Sequence, residues 1–237
     1  MGLYRDEGIV LRTHKLGEAD RIVSVLTRHH GKVRAVAKGV RKTKSRFGAR
    51  LEPPTHLQLQ LYEGRSELHI IDQAETIDHF RAIREDLDRL THAVSMLEAA
   101  DQLGLEGEAN PELYRMLLGA LRALAGHSGP LVVPGFFFKV LALEGFRAVT
   151  DRCLECDRDD VELVVFDIDN GGTRCADHRV GTAISPEALT LIDDILGGRL
   201  SQALNVPRSP ATTEVELLAR RSMEHHLERR LRSITIF

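Results

Sequence analysis

The chain of 237 residues has no tryptophan, three cysteines and no apolar run long enough to cross a bilayer. A membrane-spanning helix needs about 20 consecutive apolar residues, so we expect none here. A small, odd number of cysteines argues against a disulfide framework and predicts a reducing, cytoplasmic location. The first residues, MGLYRDEGIV, lack a charged start followed by an apolar core, so we expect no secretory signal.

Common catalytic motifs are absent as well. The chain has neither a G-x-x-x-x-G-K-[ST] phosphate loop nor a G-x-S-x-G nucleophile elbow. A base deaminase carries proline directly before its Cys-x-x-Cys, whereas Arg152 stands before Cys153 here. The sequence therefore favours a binding protein over an enzyme, and a zinc enzyme of unknown reaction is the weakest alternative.

Charges of opposite sign are concentrated in different parts of the chain. Residues 1–80 carry fourteen Lys and Arg against ten Asp and Glu, whereas the remainder carries eighteen against twenty-five. Residues 31–51 contain no acidic residue and eight basic ones: Lys32, Arg34, Lys38, Arg41, Lys42, Lys44, Arg46 and Arg50. We call these eight residues the basic stretch. Such a surface favours a long polyanion, with a solvated charge run as the plain alternative, and the acidic remainder predicts protein partners.

Apolar and polar residues alternate in five short segments before residue 75. These segments are 7–13, 21–27, 32–38, 56–62 and 67–73. In the third, Val33, Ala35 and Ala37 point to one side and the basic side chains point to the other. Five such strands predict a small closed barrel of the OB class, in which strands 2 and 3 form the usual oligonucleotide face. We expect residues 1–78 to form this domain.

The apolar period becomes helical after residue 76. The apolar residues at 83–97 predict one helix that ends near Gly104, and Asn110-Pro111 and Ser185-Pro186 predict the starts of two others. Thr213 and Glu216 have capping-box spacing for a last helix. The phenylalanines at 136–138 are typical of a helical core. The fold class is therefore α+β and multidomain, with a helical domain at 79–149 and 181–237.

A zinc-finger-like insert is expected at 150–180. Cys153-x-x-Cys156 and Cys175-x-x-His178 are separated by a strand-like segment at 163–166 and the turn Asn170-Gly171-Gly172. Two such pairs joined by a hairpin are typical of structural zinc, which takes four ligands in a tetrahedron. Asp177 competes with His178 as the fourth ligand. Four protein ligands leave no open position for catalysis.

These residues resemble a known family, the RecO family of bacterial DNA repair proteins. The similar N-terminal segment is EGIVLRTHKLGEADRIVSVLTRHHGKVRAVAKGVRKTKSRFGARLEP, with its Gly31-Lys32 turn and its Ala37-Lys38-Gly39 sequence. FKVLALEGFRAVTDRCLEC resembles the segment in which that family passes from a helix into its zinc finger. One departure is His178, which stands where the family pattern has a fourth cysteine.

The resemblance implies a recombination mediator without catalytic turnover, located in the bacterial cytoplasm with the nucleoid. Such a protein binds single- and double-stranded DNA, anneals complementary strands, acts with RecR and helps RecA to displace single-stranded-DNA-binding protein. The basic stretch would contact DNA, and the acidic tail of single-stranded-DNA-binding protein would dock on the helical domain. An OB-fold RNA-binding protein is the main alternative. Phe47 is the one aromatic residue of residues 31–51, which favours phosphate contacts over base stacking.

Overall fold

The computed structural model describes residues 2–42, 45, 47–64, 66–126, 129–228 and 231. The described residues up to 126 form one compact unit, and those from 129 onward form a second. The domain boundaries predicted from the sequence stay predictions.

The first unit begins with a closed five-stranded barrel. Its strands are β1 (Gly2–Leu16), β2 (Asp20–Thr27), β3 (Lys32–Ala37), β4 (His56–Glu63) and β5 (His69–Asp78). They follow one another around the barrel in the order β1-β2-β3-β5-β4, and only β3 and β5 run parallel. This arrangement confirms the predicted OB-like barrel. β1 and β5 are longer than the segments 7–13 and 67–73 that the alternation predicted.

The barrel interior is filled mainly by alternate residues of β2, β3 and β4. Val23 and Val25 of β2 and Val33, Ala35 and Ala37 of β3 all belong to this core and are almost completely buried. Small and β-branched side chains suit the interior of a narrow barrel, because facing strands leave little room between them. The period of two seen in the sequence therefore reports the inward face correctly.

Three helices complete the first unit: α1 (Arg81–Arg84), α2 (Leu87–Leu103) and α3 (Pro111–Gly126). The sequence predicted one helix through residues 83–97, but the chain breaks after α1 and restarts with Asp86 as the N-cap of α2. Asn110 caps α3 as predicted, since its side chain accepts a hydrogen bond from the Leu113 amide. α2 packs on β1 and β2, and α3 is tied to β4 by the buried pair His56 Nε2 and Tyr114 Oη, 2.7 Å apart.

The second unit is mainly helical and carries a small sheet. Its elements are α4 (Val132–Leu143), β6 (Leu163–Asp167), β7 (Gly172–Cys175), β8 (Thr182–Ala183), α5 (Pro186–Leu196), α6 (Leu200–Leu204) and α7 (Pro210–His226). The strands pair in the order β7-β6-β8, so the predicted hairpin is present and gains a third strand. Phe137 and Phe138 of α4 are buried, which confirms their predicted place in a helical core.

The start of α7 differs from the prediction. Ser209 is the N-cap, and its side chain forms a capping box with Thr212. Thr213 lies inside the helix, where its hydroxyl donates to the Ser209 carbonyl. Pro210 follows the cap at the first helical position, where its fixed φ and missing N–H cost nothing. The Ser209-Pro210 sequence was therefore the better signal, just as Ser185-Pro186 is for α5.

Candidate nucleic-acid interface and metal site

The basic stretch begins on β3, whose backbone turns successive side chains to opposite faces. Val33, Ala35 and Ala37 point into the barrel, while Lys32 and Arg34 lie between them on the outside. The alternation predicted from the sequence is thus confirmed. What the outer residues contact was not predicted, because their partners come from distant parts of the chain.

Lys32 is held by α2. Its Nζ donates to the Asp101 carbonyl over 2.6 Å and lies 3.9 Å from the Asp101 carboxylate, and the Lys32 side chain is only 14% exposed. Arg12 of β1 approaches the same carboxylate at 2.8 Å. Asp101 is itself buried. Lys32 is therefore paired with a buried carboxylate inside the first unit and is poorly placed to bind an external ligand.

Arg34 faces a weaker partner. Its Nη1 lies 3.7 Å from the Glu106 carboxylate, and both side chains are partly exposed. An ion pair at this distance and exposure is worth little in water, so an anion of higher charge density can displace it. The missing counter-charge in residues 31–51 was the sequence argument for a polyanion site. Asp101 and Glu106 supply part of that charge from about 70 residues further along the chain.

The cations beyond β3 are more available. Lys38 and Lys42 are exposed, and Arg41 donates from Nη1 to the Gly17 carbonyl over 3.2 Å, which leaves its charge uncompensated by a carboxylate in the described contacts. The backbone here is fixed, since the Arg41 amide donates to the Ala19 carbonyl over 2.9 Å. The start of the predicted flexible loop is therefore anchored to the turn between β1 and β2.

The rest of the basic stretch is described only in part. Arg50 is exposed in a 3-10 turn, Gly48–Leu51. Lys44 and Arg46 lie outside the described residues. Phe47, the aromatic residue considered for base stacking, is 2% exposed and belongs to the barrel core. It therefore offers no ring face to a base.

Ring side chains do occur beside the start of β3, and the sequence analysis missed them. Asp6 is buried, and its two carboxylate oxygens lie 2.9 Å from His29 Nδ1 and 2.6 Å from His30 Nδ1. Burial raises the pKa of Asp6, but the hydrogen bonds from His30 and His29 outweigh it and hold the pKa below its usual range. Tyr4 Oη lies 2.7 Å from His69 Nδ1, and the Tyr4 ring centroid is 4.4 Å from that of His30. We call these five residues the ring cluster.

The signal for the ring cluster was weak. Adjacent histidines at positions 29 and 30 fit no single helix face and read as ordinary surface residues, and Asp6, Tyr4 and His69 belong to other strands. The closed barrel brings them together, because β1 pairs with β2 and β5 pairs with β3, on either side of the β2–β3 hairpin that carries His29 and His30.

The second candidate site is a cluster of three cysteines and one histidine in the second unit. The ligand atoms of Cys153, Cys156, Cys175 and His178 all lie within 4.8 Å of one another. Cys156 Sγ and Cys175 Sγ are 4.0 Å apart, and His178 Nδ1 lies 3.7 Å from Cys153 Sγ and 3.2 Å from Cys175 Sγ. Tetrahedral geometry with ordinary zinc bond lengths gives about 3.8 Å between sulfurs and about 3.6 Å between sulfur and nitrogen. The four groups fit a metal ion, and His178 rather than Asp177 joins the cysteines.

Local structure brings the two ligand pairs together. The Asp157 amide donates to the Cys153 carbonyl, and Asp157 adopts a φ of 57°, so the first pair sits on a tight turn. β7 ends at Cys175, and a short 3-10 turn then places His178. Burial raises the pKa of the Cys153 thiol, but backbone N–H groups of the surrounding turns donate to its sulfur and lower the pKa to about 6. The thiolate, the form that binds metal, is thus favoured at Cys153, whereas the neighbouring thiols of Cys153 and Cys175 contribute to raising the pKa of Cys156.

An ion pair beside the cluster supports the hairpin. Arg174 of β7 donates from Nε to Asp167 over 2.8 Å and from Nη1 to Glu155 over 2.7 Å. Asp167 also accepts from the Asn170 amide and side chain in the turn. The Asp167 carboxylate is therefore occupied by structural partners.

Comparison with known proteins decides the family. A family model described as "Recombination protein O N terminal" matches residues 1–80, and one described as "Recombination protein O C terminal" matches residues 84–234. The chain is 43% identical over 241 residues to a DNA repair protein RecO of Frankia casuarinae, covering 99% of this chain and 98% of the relative. It is 42% identical to the RecO of Streptomyces coelicolor and 41% identical to that of Bifidobacterium longum, with similar coverage. The chain belongs to the RecO family.

Membership makes the chain a DNA repair and recombination protein, and it confirms the prediction of a non-catalytic mediator rather than an enzyme. The three relatives are named DNA repair proteins, and none of them supports the RNA-binding alternative. Within the part of the chain that the structure describes, no helix has the length and apolar character needed to cross a membrane.

Proposed function

We propose that the protein binds single- and double-stranded DNA through the basic stretch and anneals complementary strands. The observation that supports this most directly is the group of cations just beyond β3. These cations are Lys38, Arg41 and Lys42, and they follow the third strand of the OB-like barrel. The backbone at Arg41 is held by hydrogen bonds, and the described contacts give these three side chains no carboxylate partner. Phosphate binding without base recognition lowers the repulsion between two strands and leaves the pairing edges of the bases free.

The other residues of the basic stretch differ in how available they are to phosphate. Lys44 and Arg46 follow Lys42 in the sequence, and Arg50 is exposed. Arg34 joins once phosphate displaces Glu106. Lys32 contributes mainly by tying β3 to α2 rather than by meeting phosphate, because Asp101 holds it.

We further propose that the protein acts with RecR and helps RecA to load onto DNA that is coated with single-stranded-DNA-binding protein. The acidic tail of that protein would dock on the helical part of the chain, within a proposed helical domain at 79–149 and 181–237. The support is family membership together with the location of the cations, which leaves the helical residues for other partners. A cytoplasmic, nucleoid-associated location follows from the same role.

The metal at the cysteine cluster is proposed to be zinc. Three thiolates and one imidazole suit zinc, and the ligand separations match its bond lengths. Bound zinc would supply local folding energy to residues 150–180, the proposed insert, and no chemistry. Cys153, Cys156, Cys175 and His178 would hold it and leave no open position.

The experiment that tests this function is strand annealing with DNA already coated by single-stranded-DNA-binding protein. We expect the protein to accelerate pairing, and replacement of Lys42, Lys44 and Arg46 together by Ala to abolish the acceleration. Replacing Arg81, Arg115 and Arg122 together by Ala controls for net charge, and this comparison uses uncoated strands, because these residues lie in the helical part on which the acidic tail would dock. Equal loss in both variants would contradict a role for the basic stretch.

A further inference from the structure

A cleft of about 640 Å³ lies in the first unit beside the start of β3. Its walls include Tyr4, His29, His30 and His69 of the ring cluster, and Arg34 of the basic stretch. The cleft is therefore continuous with the strand that begins the proposed DNA contact. The basic stretch itself offers no ring to a base, whereas this cleft has four.

The rings are held in place by buried and half-buried contacts. Asp6, with no exposed side-chain surface, holds both imidazoles by Nδ1 and accepts the His29 amide over 3.0 Å as well. Tyr4 lies at 41° to His30 and at 84° to His69, with centroids 4.4 Å and 5.6 Å apart. The side chains of His29 and His30 nevertheless keep 63% and 46% of their surface exposed. Fixed rings with open faces are suited to stacking, because little side-chain freedom is lost on binding.

The charged side chains that line this cleft act differently on the base and on the phosphate of a nucleotide. Arg34 lines the cleft on the side that continues into β3, where its Nη1 lies 3.7 Å from the Glu106 carboxylate. Lys32, Glu63 and Glu67 line the cleft as well. Carboxylates repel phosphate from the interior, while their presence does not prevent a neutral base from entering. The arrangement favours a base inside the cleft and its phosphate at Arg34, once the phosphate has displaced Glu106.

We propose that this cleft binds one unstacked base of a DNA single strand whose backbone follows β3. The site rests on the proposed function, since β3 must first receive the strand. It adds a base-dependent contact that every sequence can make, because each base has a face on which a ring can stack. Double-stranded DNA, whose bases stay stacked, would not use it.

The test compares a deoxythymidine oligonucleotide with an abasic oligonucleotide of the same length, each labelled for fluorescence anisotropy. We expect the unmodified protein to bind the abasic strand about tenfold more weakly, as for loss of one stacked base. His30→Ala should bind both strands with the weaker affinity. Lys42→Ala, the matched control outside the cleft, should weaken both strands by the same factor and keep their ratio.

A ring-preserving variant separates stacking from a damaged fold. His30→Phe removes the contact to Asp6 as His30→Ala does, but it keeps a ring, so we expect it to restore the difference between the two strands. If His30→Phe behaves like His30→Ala while both melt at the same temperature, the rings do not stack a base. If the unmodified protein binds abasic and base-carrying strands equally, the cleft proposal is wrong and phosphate binding stands. If it binds neither strand, the proposed function itself fails.

Discussion

The sharpest prediction compares two cations of the basic stretch, Lys32 and Lys42, with Glu106, the carboxylate that faces Arg34. Lys32→Ala removes a cation that is already held by Asp101, Lys42→Ala removes an exposed one, and Glu106→Gln frees Arg34. A count of basic residues predicts that both alanine variants lose DNA affinity equally and that Glu106 is irrelevant. The structure predicts three different outcomes.

The magnitude follows from counterion release. Each phosphate neutralised on a single strand contributes about 0.7 to the slope of log affinity against log salt. Contacts from four to six of the basic residues would give a slope of about −3 to −4 for the unmodified protein. Lys42→Ala should make the slope shallower by about 0.7, Lys32→Ala should leave it almost unchanged, and Glu106→Gln should steepen it by up to about 0.7.

The assay is anisotropy of a labelled single strand at several salt concentrations, with equal melting temperatures as the control for folding. Glu106→Gln is the decisive variant, because it is the one expected to gain affinity at low salt. A Lys32→Ala slope as shallow as that of Lys42→Ala would refute the assignment of Lys32 to Asp101. An unchanged slope in Glu106→Gln would show that Arg34 does not meet phosphate.

Three further predictions concern stability. Metal-replete protein should contain one zinc per chain by elemental analysis, and Cys156→Ser should release the zinc and unfold the insert. The tyrosine fluorescence should stay unchanged, because all three tyrosines lie in the first unit. Retention of the metal by Cys156→Ser would contradict the site. Gly31→Ala should lower the free energy of unfolding by more than the roughly 1–2 kcal/mol expected for Gly17→Ala. Both glycines have a positive φ, but of the two only Gly31 would bring a Cβ against the Glu108 backbone, at 2.1 Å. Equal losses of stability in urea denaturation would disprove this clash. Because the pKa of Asp6 is lowered in the folded protein, its contribution to stability is present above pH about 4 and is lost as the pH falls further. Asp6→Asn should therefore be less stable than the parent at neutral pH, and its free energy of unfolding should fall less steeply below that pH. Parallel curves of unfolding free energy against pH would contradict this role of Asp6.

The barrel and the metal ligands could be predicted because both depend on short-range patterns. A period of two needs only the residues of one strand, and a Cys-x-x-Cys turn needs only four consecutive residues. Val33, Ala35 and Ala37 are buried as that period requires, and Cys175 and His178 meet the first cysteine pair as zinc spacing requires. These inferences survived because tertiary contacts do not change them.

The electrostatic surroundings of the site could not be predicted in the same way. Asp101 reaches Lys32 only because α2 packs on the barrel, and nothing near Lys32 in the sequence indicates this contact. The ring cluster likewise depends on barrel closure, which places Tyr4 and His69 on strands that flank the turn at His30. A charge or a ring acquires its role from neighbours that are far away along the chain.

The closing seam of the barrel has a consequence for its motions. β3 and β5 are paired in parallel over two residue pairs, Ala35 with His69 and Val36 with Ile70, whereas β1 and β4 are paired over eight. Parallel pairs are slightly weaker than antiparallel ones, and so short a seam is where local opening is least costly. We expect the amide hydrogens of β5 that face β3 to exchange fastest among the barrel strands. A DNA strand lying along β3 would slow that exchange, so the seam itself would report binding without any label.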